Sequence, residues 1–269
     1  MLDHTQPCYR YLFGPVPSRR LGISLGVDVM PHKTCSLDCV YCECGKTTHL
    51  TLKQQAYVEP EDIKKELDAF LSSDPQLDHI TFSGSGEPTL HSGIGEIIHF
   101  LKSAHARYPV ALLTNGTLFY DQRVRAQVLE ADVIVASLDA ATDEMFQRVN
   151  RPHSRLDLAR MISGLVDLRN EYSKQLWLEI FIVPGMNDAS AEIAEIQKVV
   201  KIIQPDKIHL NSLDRPGAEN WVRPLDKEKL IEIQQAIEHA DIVQYNQSTG
   251  IYPLHLKNEH QHIIATLKR

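Results

Sequence analysis

The sequence predicts an α/β fold built around a mostly parallel sheet. Two observations predict it: short β-branched segments alternate with longer segments of helical period, and polar or glycine-rich residues follow every predicted strand. Parallel neighbours need a long crossover, which is usually helical, so the alternation favours parallel pairing. Ligand sites of such sheets lie at the carboxyl ends of the strands. The pattern alone leaves two architectures open, a partial barrel and a doubly wound sheet.

The predicted elements follow one another in a regular order after the first 20 residues. The six predicted strands are ISLGVDVM at 23–30, HITFSG at 79–84, VALLTNG at 110–116, DVIVASLDA at 132–140, LWLEIFIVPG at 176–185 and KIHLNSL at 207–213. Apolar residues at helical spacing mark the connecting helices, among them one that Pro60 opens and others over 154–170, 191–203 and 225–240. We predict three parts: an N-terminal extension over 1–20, a core over 21–240 and a C-terminal strand and helix over 241–269.

The composition narrows the class of protein. The chain has 269 residues and a net charge of -7, a balance that provides no general attraction for nucleic acid. It has neither a signal-like start nor an apolar stretch of the roughly 18 to 20 residues that a membrane helix needs. We therefore expect a soluble cytoplasmic protein that partners neither nucleic acid nor membrane.

Four of the five cysteines lie within ten residues, in the sequence HKTCSLDCVYCECGKT. An odd number of cysteines, bunched in one loop, fits thiolate chemistry better than a disulfide framework. Cys35, Cys39 and Cys42 form the spacing Cys-x3-Cys-x2-Cys, and Cys44 follows. A structural zinc site with all four cysteines is an alternative, although such sites usually join two separate knuckles.

The three-cysteine spacing, with Tyr41 before the third cysteine and GSGEPT after the second strand, resembles the signature of the radical S-adenosylmethionine (radical SAM) superfamily. The resemblance implies a partial (β/α)6 TIM-like barrel and one 4Fe-4S cluster on three thiolates, with one iron left open for S-adenosylmethionine. It also implies reductive cleavage of S-adenosylmethionine to a 5'-deoxyadenosyl radical that abstracts hydrogen from a substrate, with a flavodoxin or ferredoxin as electron donor. The cofactors supply this chemistry, and the protein supplies position and exclusion of water.

The resemblance also implies which residues contact S-adenosylmethionine. Glycines let the backbone approach a ligand, and Glu87 is expected to meet its amino group. For Asp139 the alternative is a helix cap. The expected contacts are Tyr41, Gly84, Gly86, Glu87, Asn115, Ser137 and Asp139.

Within the superfamily, the segments GPVPSRRLGISLGVDVMPHKTCSLDCVYCECGKTT and LNSLDRPGAE are most similar to the Fe-S oxidoreductases grouped with the wybutosine-forming tRNA enzymes. Those tRNA enzymes use a second cluster on further N-terminal cysteines, whereas only Cys8 precedes the motif here. We expect a small-molecule or peptide substrate, for which Lys33, Arg151 and Arg215 are candidate contacts. The alternatives are a glycyl-radical-enzyme activase, a wybutosine-type tRNA enzyme and a non-enzymatic zinc module.

Overall fold

The structure is a computed structural model that describes residues 9–243. Cys8 and the C-terminal residues from 244 onward, which include most of the predicted final strand and helix, lie outside the described residues. The strands are β1 Leu12–Ser18, β2 Gly22–Val27, β3 Thr34–Cys35, β4 His49–Leu50, β5 His79–Phe82, β6 Val110–Thr114, β7 Val133–Ser137, β8 Gln175–Phe181, β9 Lys207–Asn211 and β10 Ala240–Ile242. The α-helices are α1 Pro60–Leu71, α2 Ile94–Ala104, α3 Gln122–Val128, α4 Asp143–Met145, α5 Leu158–Glu171, α6 Ser190–Ile203 and α7 Lys227–Ala236.

The main sheet has eight strands in the order β1-β2-β5-β6-β7-β8-β9-β10. All neighbours from β2 to β10 pair in parallel, and β1 pairs antiparallel with β2. The strand order follows the chain order, so it lacks the reversal that defines a doubly wound sheet. The α/β prediction and the partial TIM-like barrel are confirmed, and the sheet is not closed.

Two differences from the predicted elements lie at the ends of the sheet. The residues before position 20 form β1, which pairs with β2 although its Gly and Pro residues are weak strand formers. The predicted helix over 225–240 was wrong at its end, because α7 stops at Ala236 and β10 begins at Ala240. Between these two elements, His239 has a φ of 63°, a left-handed value that a continuing helix does not allow.

The two faces of the main sheet have different surroundings. Leu176, Leu178 and Ile180 of β8 belong to the large core that includes the buried faces of the helices. The alternate residue Trp177 packs instead on residues of other strands and of the β1–β2 turn, with no helix residue among the described members of that cluster. Trp177 therefore lies on the inner, concave face of the partial barrel.

The turn between β1 and β2 reaches across this inner face. The Arg20 guanidinium contacts the carboxylate of Glu179 on β8, and Arg19 lies 3.8 Å from Asp214, which follows β9. These contacts join residues from opposite ends of the strand order, so the sheet must curve strongly. The curvature brings the carboxyl ends of the parallel strands around a common centre.

Candidate metal centre

The cysteine loop follows β2 and is attached to the loop after β5. Lys33 N donates to Ser85 O at 2.9 Å, and Glu87 N donates to Thr34 O at 3.1 Å. Within the loop, β3 pairs with β4, which fixes the backbone on both sides of the cysteines. Cys35, Cys39, Cys42 and Cys44 are reduced and of intermediate burial. The structure therefore places the motif at the carboxyl edge of the sheet, as predicted.

Each of the three motif cysteines accepts a hydrogen bond from a nitrogen. Asn115 Nδ2 lies 3.5 Å from Cys35 Sγ, Asn150 Nδ2 lies 3.3 Å from Cys39 Sγ, and Lys33 Nζ lies 3.1 Å from Cys42 Sγ. Such donors favour a sulfur that carries negative charge, as a metal-bound thiolate does.

Cys44 differs from the other three cysteines. Its Sγ lies 3.6 Å from Gly84 O, so this thiol is a hydrogen-bond donor. A hydrogen bond from Cys44 and the charge of Lys33 outweigh burial and lower the pKa of Cys42 to about 5. Cys44 thus favours the thiolate form of Cys42. Its own thiol contacts a carbonyl oxygen, whereas the Cys42 sulfur contacts the ammonium group of Lys33.

Cys35 and Cys39 lie in the opposite electrostatic environment. Burial, with the charge of Glu87, raises the pKa of Cys35 to about 12. Burial, with the charge of Asp139, raises the pKa of Cys39 well above its ordinary value. The charge of Cys42 contributes to both shifts, so the three motif thiols lie near one another.

The donors and thiols fit a cluster that is held by three thiolates. Between residues 9 and 243, no three His, Cys, Asp or Glu side chains are grouped as ligands of a single metal ion. The argument for a cluster at this position therefore rests on the three sulfurs and their N–H donors, and not on ligands already arranged around one metal ion. Cys35, Cys39 and Cys42 are the residues that would hold the cluster, which leaves one of its irons without a protein ligand.

Glu87 is buried, and its carboxylate is bound by the protein. Oε1 accepts from Thr89 N at 3.0 Å, Thr89 Oγ1 at 2.7 Å and Thr114 Oγ1 at 2.5 Å, and Oε2 accepts from Asn115 N at 2.8 Å. These bonds join the loop after β5 to the end of β6. A contact of Glu87 with S-adenosylmethionine remains a prediction.

Asp139 is also buried and joins three parts of the site. Oδ2 accepts from Tyr41 OH at 2.5 Å and from Asn150 Nδ2 at 2.7 Å, and Oδ1 accepts from Phe181 N at 2.9 Å. The Tyr41 ring stacks on Phe181 with centroids 3.9 Å apart. The helix-cap alternative for Asp139 was wrong, because Thr142 is the N-cap of α4.

The remaining predicted ligand contacts lie around the same edge. A Cβ on Gly84 would lie 2.2 Å from Asp28 Cγ, and one on Gly86 would lie 2.3 Å from Thr34 O, so both positions require glycine. Ser137 is half-buried at the end of β7, and Asn115 is half-buried after β6. The structure brings these residues to one edge, and their role toward a ligand remains a prediction.

The three candidate substrate contacts have different surroundings. Lys33 is 3% exposed and directs its ammonium group to Cys42. Arg151 forms an ion pair with Glu219 at 2.5 Å, and Lys46 lies 3.1 Å from the same carboxylate. Arg215 is exposed. Of the three side chains, Lys33 and Arg151 contact other residues of the site, and Arg215 is exposed to solvent. A substrate role for all three remains a prediction.

Two residues of the site were missed by the sequence analysis. Asn150 ends a π-helix at Phe146–Asn150, and its contact with Cys39 joins residues 111 positions apart. Glu219 N donates to Val40 O at 3.0 Å, so the segment after β9 covers the cysteine loop. Glu219 is the last residue of the segment LNSLDRPGAE, which the sequence analysis singled out for its resemblance to a group of Fe-S oxidoreductases. That resemblance did not indicate that the segment contacts the cysteine loop.

Comparisons with known proteins agree with this geometry. Residues 29–196 match the model of the Radical SAM superfamily. A protein named GTPase Obg from Brachyspira hyodysenteriae is 36% identical over 227 residues, which are 84% of this chain and 33% of that protein. UPF0026 protein MJ1312 from Methanocaldococcus jannaschii is 33% identical over 223 residues, which are 82% of this chain and 69% of that protein. This chain thus spans one third of the length of the first relative.

Solved structures share the fold. A radical SAM methyltransferase from Sphaerobacter thermophilus has a TM-score of 0.65 and 17% identity, covering 84% of this chain and 67% of that one. TYW1 with a lysine-pyruvate adduct has a TM-score of 0.56 and 16% identity, covering 80% of this chain and 72% of that one. The superfamily uses a 4Fe-4S cluster and S-adenosylmethionine. The superfamily model matches more than half of the chain and shows that this chain belongs to the radical SAM superfamily.

Proposed function

We propose that this chain is an enzyme that reductively cleaves S-adenosylmethionine at a 4Fe-4S cluster, giving a 5'-deoxyadenosyl radical that abstracts hydrogen from a substrate. The observation that carries the proposal is the division of the four cysteines. Cys35, Cys39 and Cys42 each accept a hydrogen bond from a side-chain nitrogen, whereas Cys44 donates a hydrogen bond to Gly84 O. Three thiolate ligands leave one iron open, and that iron is where S-adenosylmethionine would bind.

The residues around the cysteines would bind and orient S-adenosylmethionine. Asn115, Ser137 and the backbone at Gly84 and Gly86 lie at the carboxyl edge of the sheet, where ligands of parallel sheets bind. Buried Glu87 holds the loop after β5 against β6. Asp139 holds the ring of Tyr41 in position. The two carboxylates would thereby hold the loop after β5 and the Tyr41 ring in place around S-adenosylmethionine.

The inner face of the partial barrel would hold the substrate. This face is apolar around Trp177, near the start of β8. It is polar farther along the strand, where Glu179 contacts Arg20 and pairs with His209 of β9. A polar small molecule or a peptide side chain is the substrate that we propose for this surface, and exposed Arg215 would bind an anionic group of it. A flavodoxin or ferredoxin would supply the electron. None of the contacts among the described residues favours the activase or the tRNA enzyme over this general proposal.

Anaerobic reconstitution tests the proposal directly. We expect a brown protein with about four irons per chain, which releases 5'-deoxyadenosine from S-adenosylmethionine after reduction by dithionite. A colourless protein that retains one zinc ion would contradict the proposal and favour the zinc module. Deuterium transfer from labelled peptides or metabolites into 5'-deoxyadenosine would then separate an activase from an enzyme acting on a small molecule.

A further inference from the structure

We propose that Lys33, Asn115 and Asn150 set the reduction potential of the cluster by donating hydrogen bonds to its three cysteine sulfurs. The proposal rests on the proposed function, because it requires the cluster on Cys35, Cys39 and Cys42. The three residues act through the sulfurs and are positioning residues. Hydrogen bonds and positive charge at the sulfurs stabilise the reduced cluster, which carries one more negative charge than the oxidised one.

Lys33 is held in place by its backbone. Its φ is 56°, its N donates to Ser85 O at 2.9 Å, and its carbonyl accepts from Thr48 N at 3.1 Å and His49 N at 3.0 Å. Left-handed values are uncommon for a residue other than glycine, and they persist where surrounding contacts require them. The side chain is 3% exposed and ends 3.1 Å from Cys42 Sγ. The position of the ammonium group is therefore fixed by the fold.

The sulfur of Cys42 is the partner of this buried lysine, because the ammonium nitrogen lies 3.1 Å from Cys42 Sγ. A buried ammonium group is costly unless it is paired. The geometry therefore directs the charge of Lys33 to one of the three sulfurs that would hold the cluster.

The two asparagines present N–H groups to sulfur because their other contacts fix the amide orientation. Asn115 Oδ1 accepts from Thr117 N at 3.0 Å, so its Nδ2 faces Cys35 and also donates to Ser36 Oγ at 2.9 Å. Asn150 Nδ2 donates to the Asp139 carboxylate at 2.7 Å, and a carboxylate only accepts. A flipped amide would break these bonds in both residues.

The three contacts differ in charge and so in expected size. Lys33 brings a full positive charge to Cys42, whereas Asn115 and Asn150 bring neutral dipoles to Cys35 and Cys39. The latter two sulfurs also lie near the carboxylates of Glu87 and Asp139, which act in the opposite direction. Removing Lys33 should therefore lower the midpoint potential most.

A potentiometric titration followed by electron paramagnetic resonance tests this on the reconstituted full chain. We expect Lys33→Met to lower the ratio of reduced to oxidised cluster about tenfold at a fixed potential, equivalent to about 59 mV for one electron. Asn150→Ala should lower it by a smaller factor, and Lys33→Arg should restore it. Lys46→Met is the matched control, because it removes a lysine of the same loop that pairs with Glu219.

The outcomes are distinguishable. An unchanged midpoint in Lys33→Met with full iron content would overturn the proposal, as would an equal shift in Lys46→Met. If Lys33→Met takes up no iron, Asn150→Ala decides in its place, and an unchanged midpoint there overturns the proposal. Loss of iron in both variants assigns these donors to cluster assembly and also overturns it. A wild-type protein without a cluster would instead contradict the proposed function.

Discussion

The two ends of the cysteine loop lie in opposite electrostatic surroundings. Cys35 and Cys39 lie beside the buried carboxylates of Glu87 and Asp139, and their pKa values are raised. Cys42 lies beside Lys33 and Cys44, and its pKa is lowered to about 5. Thiols must lose their protons to bind a metal, so iron has to displace protons at the first end but not at the second. The comparison shows that the two ends of the loop favour opposite protonation states of their thiols.

Removing a ligand from the carboxylate end should have the largest effect. We expect Cys39→Ala to abolish the cluster, because only two of the three proposed ligands remain. Cys44→Ala is the matched control and should keep the cluster, since Cys44 donates to Gly84 O and is not a proposed ligand. Iron and sulfide content after anaerobic reconstitution measures both. Loss of the cluster in Cys44→Ala would mean that the ligands had been counted wrongly.

Asp139 is expected to stabilise the carboxylate end even without a cluster. In Asp139→Asn one side of the group becomes an NH2 donor, which faces either Asn150 Nδ2 or Phe181 N, and neither of these nitrogens can accept. We expect the free energy of unfolding to fall by about 3 kcal/mol, because buried donors lose their acceptors. Urea denaturation of the metal-free protein measures it.

The control for this change is Glu144→Gln, which makes the same chemical change on an exposed side chain that pairs with Arg148. It should leave the urea midpoint unchanged, since exposed ion pairs contribute little. An equal loss in both variants would show that the buried network around Asp139 is not the cause.

The lysine end should be recognised by its reactivity in the metal-free protein. With a pKa of about 5, Cys42 is a thiolate at pH 6.5, whereas Cys35, with a pKa of about 12, is protonated. We expect iodoacetamide to modify Cys42 more than tenfold faster than Cys35 or Cys39, because the thiolate is the nucleophile. Peptide mass spectrometry identifies the modified residue.

The sign of the pH dependence is fixed by the same shifts. The rate at Cys42 should stay level from pH 8 to 6 and fall only as the pH approaches about 5, where the thiolate is protonated. Lys33→Met removes a charge that favours the thiolate, so it should move this fall to higher pH. A faster reaction at Cys35 than at Cys42 at pH 6.5 would reverse the comparison between the two ends.

Sequence patterns predicted most of the sheet and the position of the cysteine motif. The six predicted strands correspond to β2 and to β5 through β9, because alternation and turn residues are local signals. Motif spacing also placed the cysteines at the carboxyl edge. Four described strands were missed. β1 and β10 lie at the ends of the main sheet, where proline and glycine or a short length weaken the pattern, and β3 and β4 have only two residues each.

The direction of individual side chains was harder to predict. Lys33, a candidate substrate contact, has its ammonium group 3.1 Å from Cys42 Sγ, and the spacing of the motif did not indicate that contact. Asn150 reaches Cys39 across the fold, and no local pattern encodes a contact between residues 111 positions apart. Such contacts depend on how distant strands and loops meet, which spacing within one segment does not determine.

The smallest expected effect separates the hydroxyl of Tyr41 from its ring. Tyr41→Phe keeps the stacking on Phe181 and removes one of the donors to Asp139, which retains Asn150 and Phe181 N. We expect a loss of about 1.5 kcal/mol in the free energy of unfolding at neutral pH, since the bond has a charged acceptor. Tyr57→Phe, whose hydroxyl donates to Lys53 O on an exposed segment, should have no measurable effect.

The pH dependence of that loss tests its cause. Burial raises the pKa of Asp139 in the folded protein, while the bond from Tyr41 favours the carboxylate and opposes that rise. Removing the hydroxyl therefore costs most where Asp139 is ionised, and the cost should shrink as the pH falls through the folded pKa, which lies above 3.8. Urea denaturation of both proteins between pH 7 and pH 4 measures this, and a loss that grows toward low pH would show that Tyr41 does not act through the Asp139 carboxylate.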